Sequence, residues 1–339
     1  MERPRRLPAL LVNLALAAVT IVLLLAVVEG VLRLTGFSFE LQPEAVQFGP
    51  GSEAEMLRVF EPDVDLLWVK RGYHDELERL RRERPPLLVL GDSCTHFGRW
   101  DEALAARVAA RGESLRWGNL AVAGWSTYQG RRQLERDIAA LEPAVVTLYF
   151  GWNDHWIGFG IEDATLGRLR RWFEGPWGRL RVGQLAAQAT VAVGAWLDEY
   201  PERVPLEDFR ANLRAMVTET RALGAVPVLF TAPTSHRPGH LPAALVPRYV
   251  RSVDELVPLH EAYVEVVREV ARSLDAPLCD LHQAFKMVPE SVLDASFRED
   301  GIHLTAEGDE ALAAFVDACF GGQELWGMVV VEAGDATSG

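Results

Sequence analysis

The chain has 339 residues, 48 acidic against 34 basic side chains for a net charge of -14, and 49% hydrophobic residues. A half-apolar chain of this length carries enough apolar side chains for a packed core, which excludes global disorder, and only 3 Cys exclude a disulfide scaffold. The acidic balance argues against nucleic acid as a partner, because phosphate binding needs clustered lysine and arginine.

Residues 1–6 hold Arg3, Arg5 and Arg6 against Glu2, and Leu7 to Val28 follows without a charged side chain, polar only at Asn13 and Thr20. As a helix this run spans roughly 30 Å, the hydrocarbon thickness of a bilayer. It is expected to be a transmembrane anchor over 7–29. A cleaved signal peptide and a buried core helix compete with that reading. The run exceeds the roughly 7–15 residues of a signal peptide's apolar region, and no clean small-x-small cleavage site follows Val28. By the positive-inside rule the arginines keep residues 1–6 in the cytoplasm and send the rest of the chain across the membrane.

Residues 30–84 read as a linker with a short helix in the charged segment Asp75 to Arg84, closed by Pro85 and Pro86. From there short apolar runs alternate with amphipathic stretches. Strands are predicted at Leu87 to Leu90, Leu115 to Leu120, Val145 to Phe150, Val226 to Thr231 and Pro277 to Asp280. Helices are predicted near Asp101 to Ala110, Gln129 to Leu141, Leu206 to Leu223, Val253 to Leu274 and Ala306 to Ala318. This alternation predicts an α/β fold, a mainly parallel sheet with helices on both faces, over residues 85–320. Two insertions interrupt it. Residues 155–204 contain Trp156, Trp172, Trp177 and Trp196 and read equally as a lid or acceptor-binding wall and as a helical pair packed on the sheet edge. Residues 233–257, with four prolines, read as a surface loop, and residues 321–339 as a C-terminal tail. Cys94, Cys279 and Cys319 leave at least one free thiol in any monomeric pairing; a Cys279–Cys319 bridge is open in an oxidising compartment, but sequence fixes no geometry.

Four segments carry the chemistry. Gly91-Asp92-Ser93-Cys94 follows the first strand, Asn119-Leu120-Ala121-Val122-Ala123-Gly124 the second, Gly151-Trp152-Asn153-Asp154 the third, and Asp300-Gly301-Ile302-His303 precedes the last helix. Taken singly, each is also ordinary turn or cap chemistry. Four in this order at strand ends resemble the SGNH (GDSL-like) hydrolase family over about Pro86 to Ala318. Ala121 departs from the glycine usual at its place, and Cys94 is not the commonest residue after the serine.

The resemblance implies a three-layer α/β/α sandwich with a five-stranded, flavodoxin-like sheet. It also implies a serine nucleophile, Ser93, with His303 as general base and Asp300 orienting the imidazole; Glu299 is the local rival for Asp300. The implied oxyanion donors are the backbone N–H groups of Ser93 and Gly124 and the Asn153 amide. Asp154 is read as a brace, His96 and His155 as pocket-lining candidates, and His282 as a residue of the turn after the fifth strand. His236 and His240 have an i, i+4 spacing, but Pro238 and Gly239 between them oppose a helical metal pair. No cofactor and no metal are expected. The implied activity is hydrolysis of an extracytoplasmic acyl ester on a small molecule, glycan or lipid, such as an O-acetyl group on a glycan. O-acyl transfer to a cell-surface polysaccharide is the alternative within catalysis, and a non-catalytic binding or assembly module on the same fold is the alternative of another class.

Overall fold

The computed structural model describes residues 7–41, 59–158, 161–196, 201–242, 245 and 250–332. Helix α1 runs over Leu7–Leu34, past the expected end at 29. Its mean hydropathy reaches 2.8, and it is long and apolar enough to cross a membrane, a test that a signal sequence also passes.

The central sheet consists of β3 (Leu87–Gly91), β5 (Trp117–Asn119), β6 (Val145–Tyr149), β7 (Val226–Phe230) and β8 (Leu278–Cys279). Its order is β5-β3-β6-β7-β8 and every pairing is parallel. Numbered among themselves, the strands run second, first, third, fourth, fifth, so the order reverses beside β3 and opens a crevice beyond the carboxyl ends of β3 and β6. β3 and β6 are buried throughout, as expected of parallel strands covered on both faces. The period of two then divides their side chains: Leu88, Leu90, Val146 and Leu148 enter one core, and Leu87, Val89, Val145 and Tyr149 the other.

On the first face pack α2 (Tyr73–Glu83), α5 (Thr127–Gln133), α8 (Leu206–Ala222) and α9 (Val253–Leu274). In α2 the buried side chains Tyr73, Leu77 and Leu80 recur at i, i+4 and i+7, the stripe that a helix presents to a core. On the second face lie α4 (Trp100–Ala109), α10 (Leu281–Lys286) and α12 (Ala306–Gly322), with α11 (Glu290–Ser296) beside α12. Two small antiparallel ribbons complete the structure: β1 (Phe60–Asp63) with β2 (Leu67–Lys70), and β4 (Glu113–Leu115) with β9 (Val330–Glu332), which follows α13 (Trp326–Val329).

Two expectations need correction. Residues 59–84 are not a bare linker: besides the expected helix they form the β1–β2 hairpin, and Phe60, Leu66, Leu67, Trp68 and Val69 are buried in the first core. Apolar side chains too closely spaced for one amphipathic period are what obscured this ribbon. The 233–257 segment is not simply a surface loop, since Thr234, Ser235 and His236 are buried; of its residues, 243–244 and 246–249 lie outside the described residues. Cys319 lies on α12 beside β8, its Cα 5.6 Å from that of Cys279, and the two are disulfide-bonded.

The 155–204 insertion is a helical pair, α6 (Asp163–Glu174) and α7 (Arg181–Trp196), joined by a single 3₁₀ turn at Pro176–Arg179. Leu166 is buried in the first core, and Leu169, Phe173 and Val191 pack against it.

Candidate active site

β3 ends at Gly91, where a β-carbon would stand 2.8 Å from the carbonyl oxygen of Tyr149 on the neighbouring strand. A side chain there would push β3 and β6 apart. Asp92 then caps the single-turn helix α3 (Ser93–His96), its Oδ1 accepting from the backbone N–H of Cys94 at 2.9 Å. Ser93 is therefore seated at the first position of α3, at the mouth of the crevice.

The Ser93 hydroxyl lies 2.9 Å from Nε2 of His303, and Nδ1 of the same ring lies 2.7 Å from Oδ2 of Asp300. The other Asp300 oxygen accepts the backbone N–H groups of Ile302 and His303 at 2.8 and 2.9 Å. Burial alone would raise the Asp300 pKa, but the hydrogen bonds from His303 and Ile302 outweigh it and hold the carboxyl down to about 2. An anionic Asp300 fixes the proton of His303 on Nδ1 and leaves Nε2 to accept from Ser93. Glu299, the rival, is exposed.

Asn153 follows β6. Its Nδ2 donates to Oδ2 of Asp92 at 3.1 Å, and its Oδ1 accepts from Nη1 of Arg203 at 3.5 Å, so the amide is oriented from both ends. One N–H of the amide remains beyond the bond to Asp92. Arg203 is itself buried and doubly bonded to Asp163, through Nε at 3.1 Å and Nη2 at 2.8 Å. Asp163 also accepts from the hydroxyl of Ser126 at 2.6 Å, the residue that caps α5 just after Gly124. One network thus ties the second and third strand-end loops together.

The loop at Gly124 is pinned from below. Gly124 has φ +79°, a bend that glycine adopts without cost. The preceding Ala123 donates its N–H to Nδ1 of His96 at 2.9 Å, and Ala121 donates to Oδ1 of Asn119 at 3.0 Å. Burial pushes His96 down to about 4, which keeps the ring neutral and able to accept. Asp154 Oδ1 accepts from both the backbone N–H and the hydroxyl of Thr127, at 2.8 and 2.5 Å, and burial pushes the carboxyl up to about 7.

Ser93, Gly124, Asn153, Asp300 and His303 all border one cavity of about 370 Å³. Its remaining walls are largely apolar, with Phe60, Phe97, Trp152, Trp156, Leu245 and Ile302 among them. Two expected lining residues are absent from it: His96 lies under the Gly124 loop, and His155 is fully buried with its Nε2 3.1 Å from Nδ1 of His260. His236 is not paired with His240; its Nε2 donates to the carbonyl oxygen of Asp300 at 2.7 Å. His282 sits at the start of α10, 3.1 Å from Glu261. Cys94 is buried and burial pushes its thiol pKa up, so it is a packing residue rather than a nucleophile. Among the described residues no group of three or more His, Cys, Asp or Glu side chains is arranged to hold a metal ion.

Sequence reasoning missed Arg203, Phe60 and Leu245. Phe60 and Leu245 come from stretches read as linker and surface loop. Arg203 stands between two prolines at the end of an insertion, and nothing local marks an arginine as buried.

The family model for the GDSL-like lipase/acylhydrolase family matches residues 89–311. Among solved structures, the chain is similar to a lipase/acylhydrolase from Enterococcus faecalis, with 21% identity over 70% of this chain and 96% of that one and a TM-score of 0.47. It is similar to a GDSL-like lipase from Bacteroides thetaiotaomicron, with 14% identity over 74% and 98% and a TM-score of 0.46. A third is a catalytic mutant of an acetylxylan esterase from Geobacillus stearothermophilus, with 18% identity over 69% and 93% and a TM-score of 0.42. No curated protein matches the chain.

Proposed function

The chain belongs to the GDSL-like lipase/acylhydrolase family and is an ester-bond hydrolase; from that premise we propose that it is a membrane-anchored, extracytoplasmic serine esterase working through an acyl-enzyme. The observation that carries this reading is the unbroken hydrogen-bonded chain Asp300–His303–Ser93 at the mouth of an apolar cavity. Ser93 attacks the acyl carbonyl as its proton passes to Nε2 of His303, and Asp300 stabilises the imidazolium that forms. The tetrahedral oxyanion is received by the backbone N–H groups of Ser93 and Gly124 and by the Asn153 amide. His303 then returns the proton to the leaving alcohol, and water repeats the sequence on the acyl-enzyme.

Three features support the placement. Arginines precede α1, which by the positive-inside rule directs the domain outward. Glu29 and Arg33 at the end of α1 bond to Val182 N and Arg179 O of the folded domain, at 2.9 and 3.3 Å, which favours a retained anchor over a cleaved signal. The Cys279–Cys319 bridge suits an oxidising compartment.

The aromatic and aliphatic walls favour an apolar acyl chain over O-acetyl. Purified full-length protein in detergent, assayed on aryl esters of increasing chain length, should gain roughly fourfold in kcat/KM per added methylene, about 0.8 kcal/mol each, until the cavity is filled. A preference for acetate would instead support the O-acetyl glycan reading. Equal rates for wild type and Ser93→Ala would remove the serine mechanism. With a sugar acceptor added, acylated sugar that rises as free acid falls would replace hydrolysis by acyl transfer.

A further inference from the structure

Helix α7 carries a surface that the catalytic reading does not use. Its inward side buries Gly183, Gln184 and Ala187. Its outward side exposes Leu185, Ala189, Ala192 and Val193, spaced i, i+4, i+7 and i+8, with Leu185 39% and Val193 49% exposed. That spacing makes one continuous apolar stripe, which a soluble domain has no reason to leave in water.

The start of this helix is fastened to α1. Glu29 accepts the backbone N–H of Val182 at 2.9 Å and also pairs with Arg33 at 2.7 Å. Arg33 reaches the carbonyl oxygen of Arg179, Arg181 reaches the Ser38 hydroxyl at 3.0 Å, and Gln184 accepts the N–H of Phe39 at 3.2 Å. The apolar stripe therefore begins where α1 ends. Trp177, 52% exposed, stands in the turn before it, and tryptophan favours the headgroup level of a bilayer. Between Thr165 and Thr190 the chain has Arg168, Arg170, Arg171, Arg179 and Arg181 against Glu174 alone, a basic segment in an acidic protein.

We propose that α7 and the turn at Trp177 form a docking face that lies in the headgroup layer of the bilayer holding α1, with its arginines toward anionic phospholipid. The proposal rests on the anchor reading above. It commits to lipid because the stripe is continuous with α1 and the turn at its start carries the exposed Trp177 and Arg179; an apolar side with arginine and tryptophan at its edge is the pattern of a helix lying in the interface plane. The hairpin then holds the catalytic domain at a fixed height and tilt above the membrane instead of on a free tether.

The test uses the full-length chain in nanodiscs containing phosphatidylglycerol. Cys94 is buried and the other two cysteines are bridged, so single cysteines introduced by Leu185→Cys, Val193→Cys, Val22→Cys and Gln323→Cys can be labelled with an environment-sensitive fluorophore and challenged with nitroxide lipids. Gln323 follows α12 on the opposite face of the sheet. The proposal expects quenching by headgroup nitroxides at 185 and 193, by acyl-chain nitroxides at 22, and none at 323. Arg179→Glu should lower the signal at 185 toward the 323 level. Quenching at 22 with none at 185 and 193 overturns the docking face while leaving the anchor intact. Absence of quenching at 22 overturns the anchor and the docking face with it. Disulfide cross-linking between two Leu185→Cys copies, without quenching there, would give the stripe to self-association and also overturn the proposal.

Discussion

The carboxyl edge of the sheet and the α6–α7 hairpin treat polar groups in opposite ways. At the sheet edge, Asp300, Asn153, Asp92, Arg203 and Asp163 each meet defined partners within 3.5 Å. On the outward side of α7 an apolar stripe is left open, and along the α6–α7 hairpin arginines outnumber acids. The difference teaches where this chain needs fixed geometry and where it needs only an amphipathic surface. On the proposed mechanism, donors that wait for a charge present only in a transition state are over-determined by neighbours; on the proposed docking, a face for lipid needs pattern and sign alone.

Substitutions at the two regions should therefore separate. The largest effect is expected for His303→Ala, which removes the proposed base and should lower kcat on a soluble aryl ester by on the order of 10⁶; circular dichroism and protein placement in nanodiscs should stay unchanged. A drop of only a few fold would show that another group takes the Ser93 proton. Next comes Arg203→Met, which leaves Asp163 charged and buried and should cost roughly 3–5 kcal/mol of stability in denaturant melts. Asn153→Ala should fold normally and lower kcat by about 10²–10³ with KM little changed; a loss confined to KM would make Asn153 a binding residue only.

Asp154 gives a pH test. Its folded pKa, about 7, stands above the ordinary value of 3.8, so its contribution to stability is full below that value and is lost as pH rises through about 7. Wild type should thus melt progressively lower between pH 4 and 7, and Asp154→Asn should flatten that slope, apart from a residual part from Asp92, which burial also raises, to about 6. Asp300 acts in the other direction and only in acid, since its stabilisation is present above its ordinary carboxylate range and is lost as pH falls toward about 2. The smallest effect is expected in the hairpin: Trp177→Ser should change stability by no more than about 0.5 kcal/mol and leave turnover of a soluble ester as it is. A collapse of activity there would make the hairpin part of the catalytic apparatus.

Sequence made the strand-end chemistry legible because short motifs at the ends of buried strands have few other uses in combination. Ser93, Gly124, Asn153, Asp300 and His303 all reach one cavity, and the five strands lie close to the expected positions. What stayed hidden depends on long-range placement. The hairpin at 60–70 is too short for its period to declare itself, and Phe60 becomes a cavity wall only once it packs across the sheet edge. His96 sits next to the serine block yet turns under the neighbouring loop, because Ala123 offers an N–H that a buried neutral imidazole can accept. Arg203 is separated from Asn153 by the whole insertion, and the disulfide required the fold to bring α12 to β8.

Ser93 is proposed as the nucleophile of an acyl-enzyme. Incubating the detergent-solubilised full-length protein with a fluorophosphonate and locating the adduct by peptide mass spectrometry tests it most directly. One adduct is expected, on the peptide containing Ser93, formed in step with loss of esterase activity and abolished in His303→Ala. Full inactivation with Ser93 unmodified, or labelling of Ser93 with no loss of activity, would contradict it.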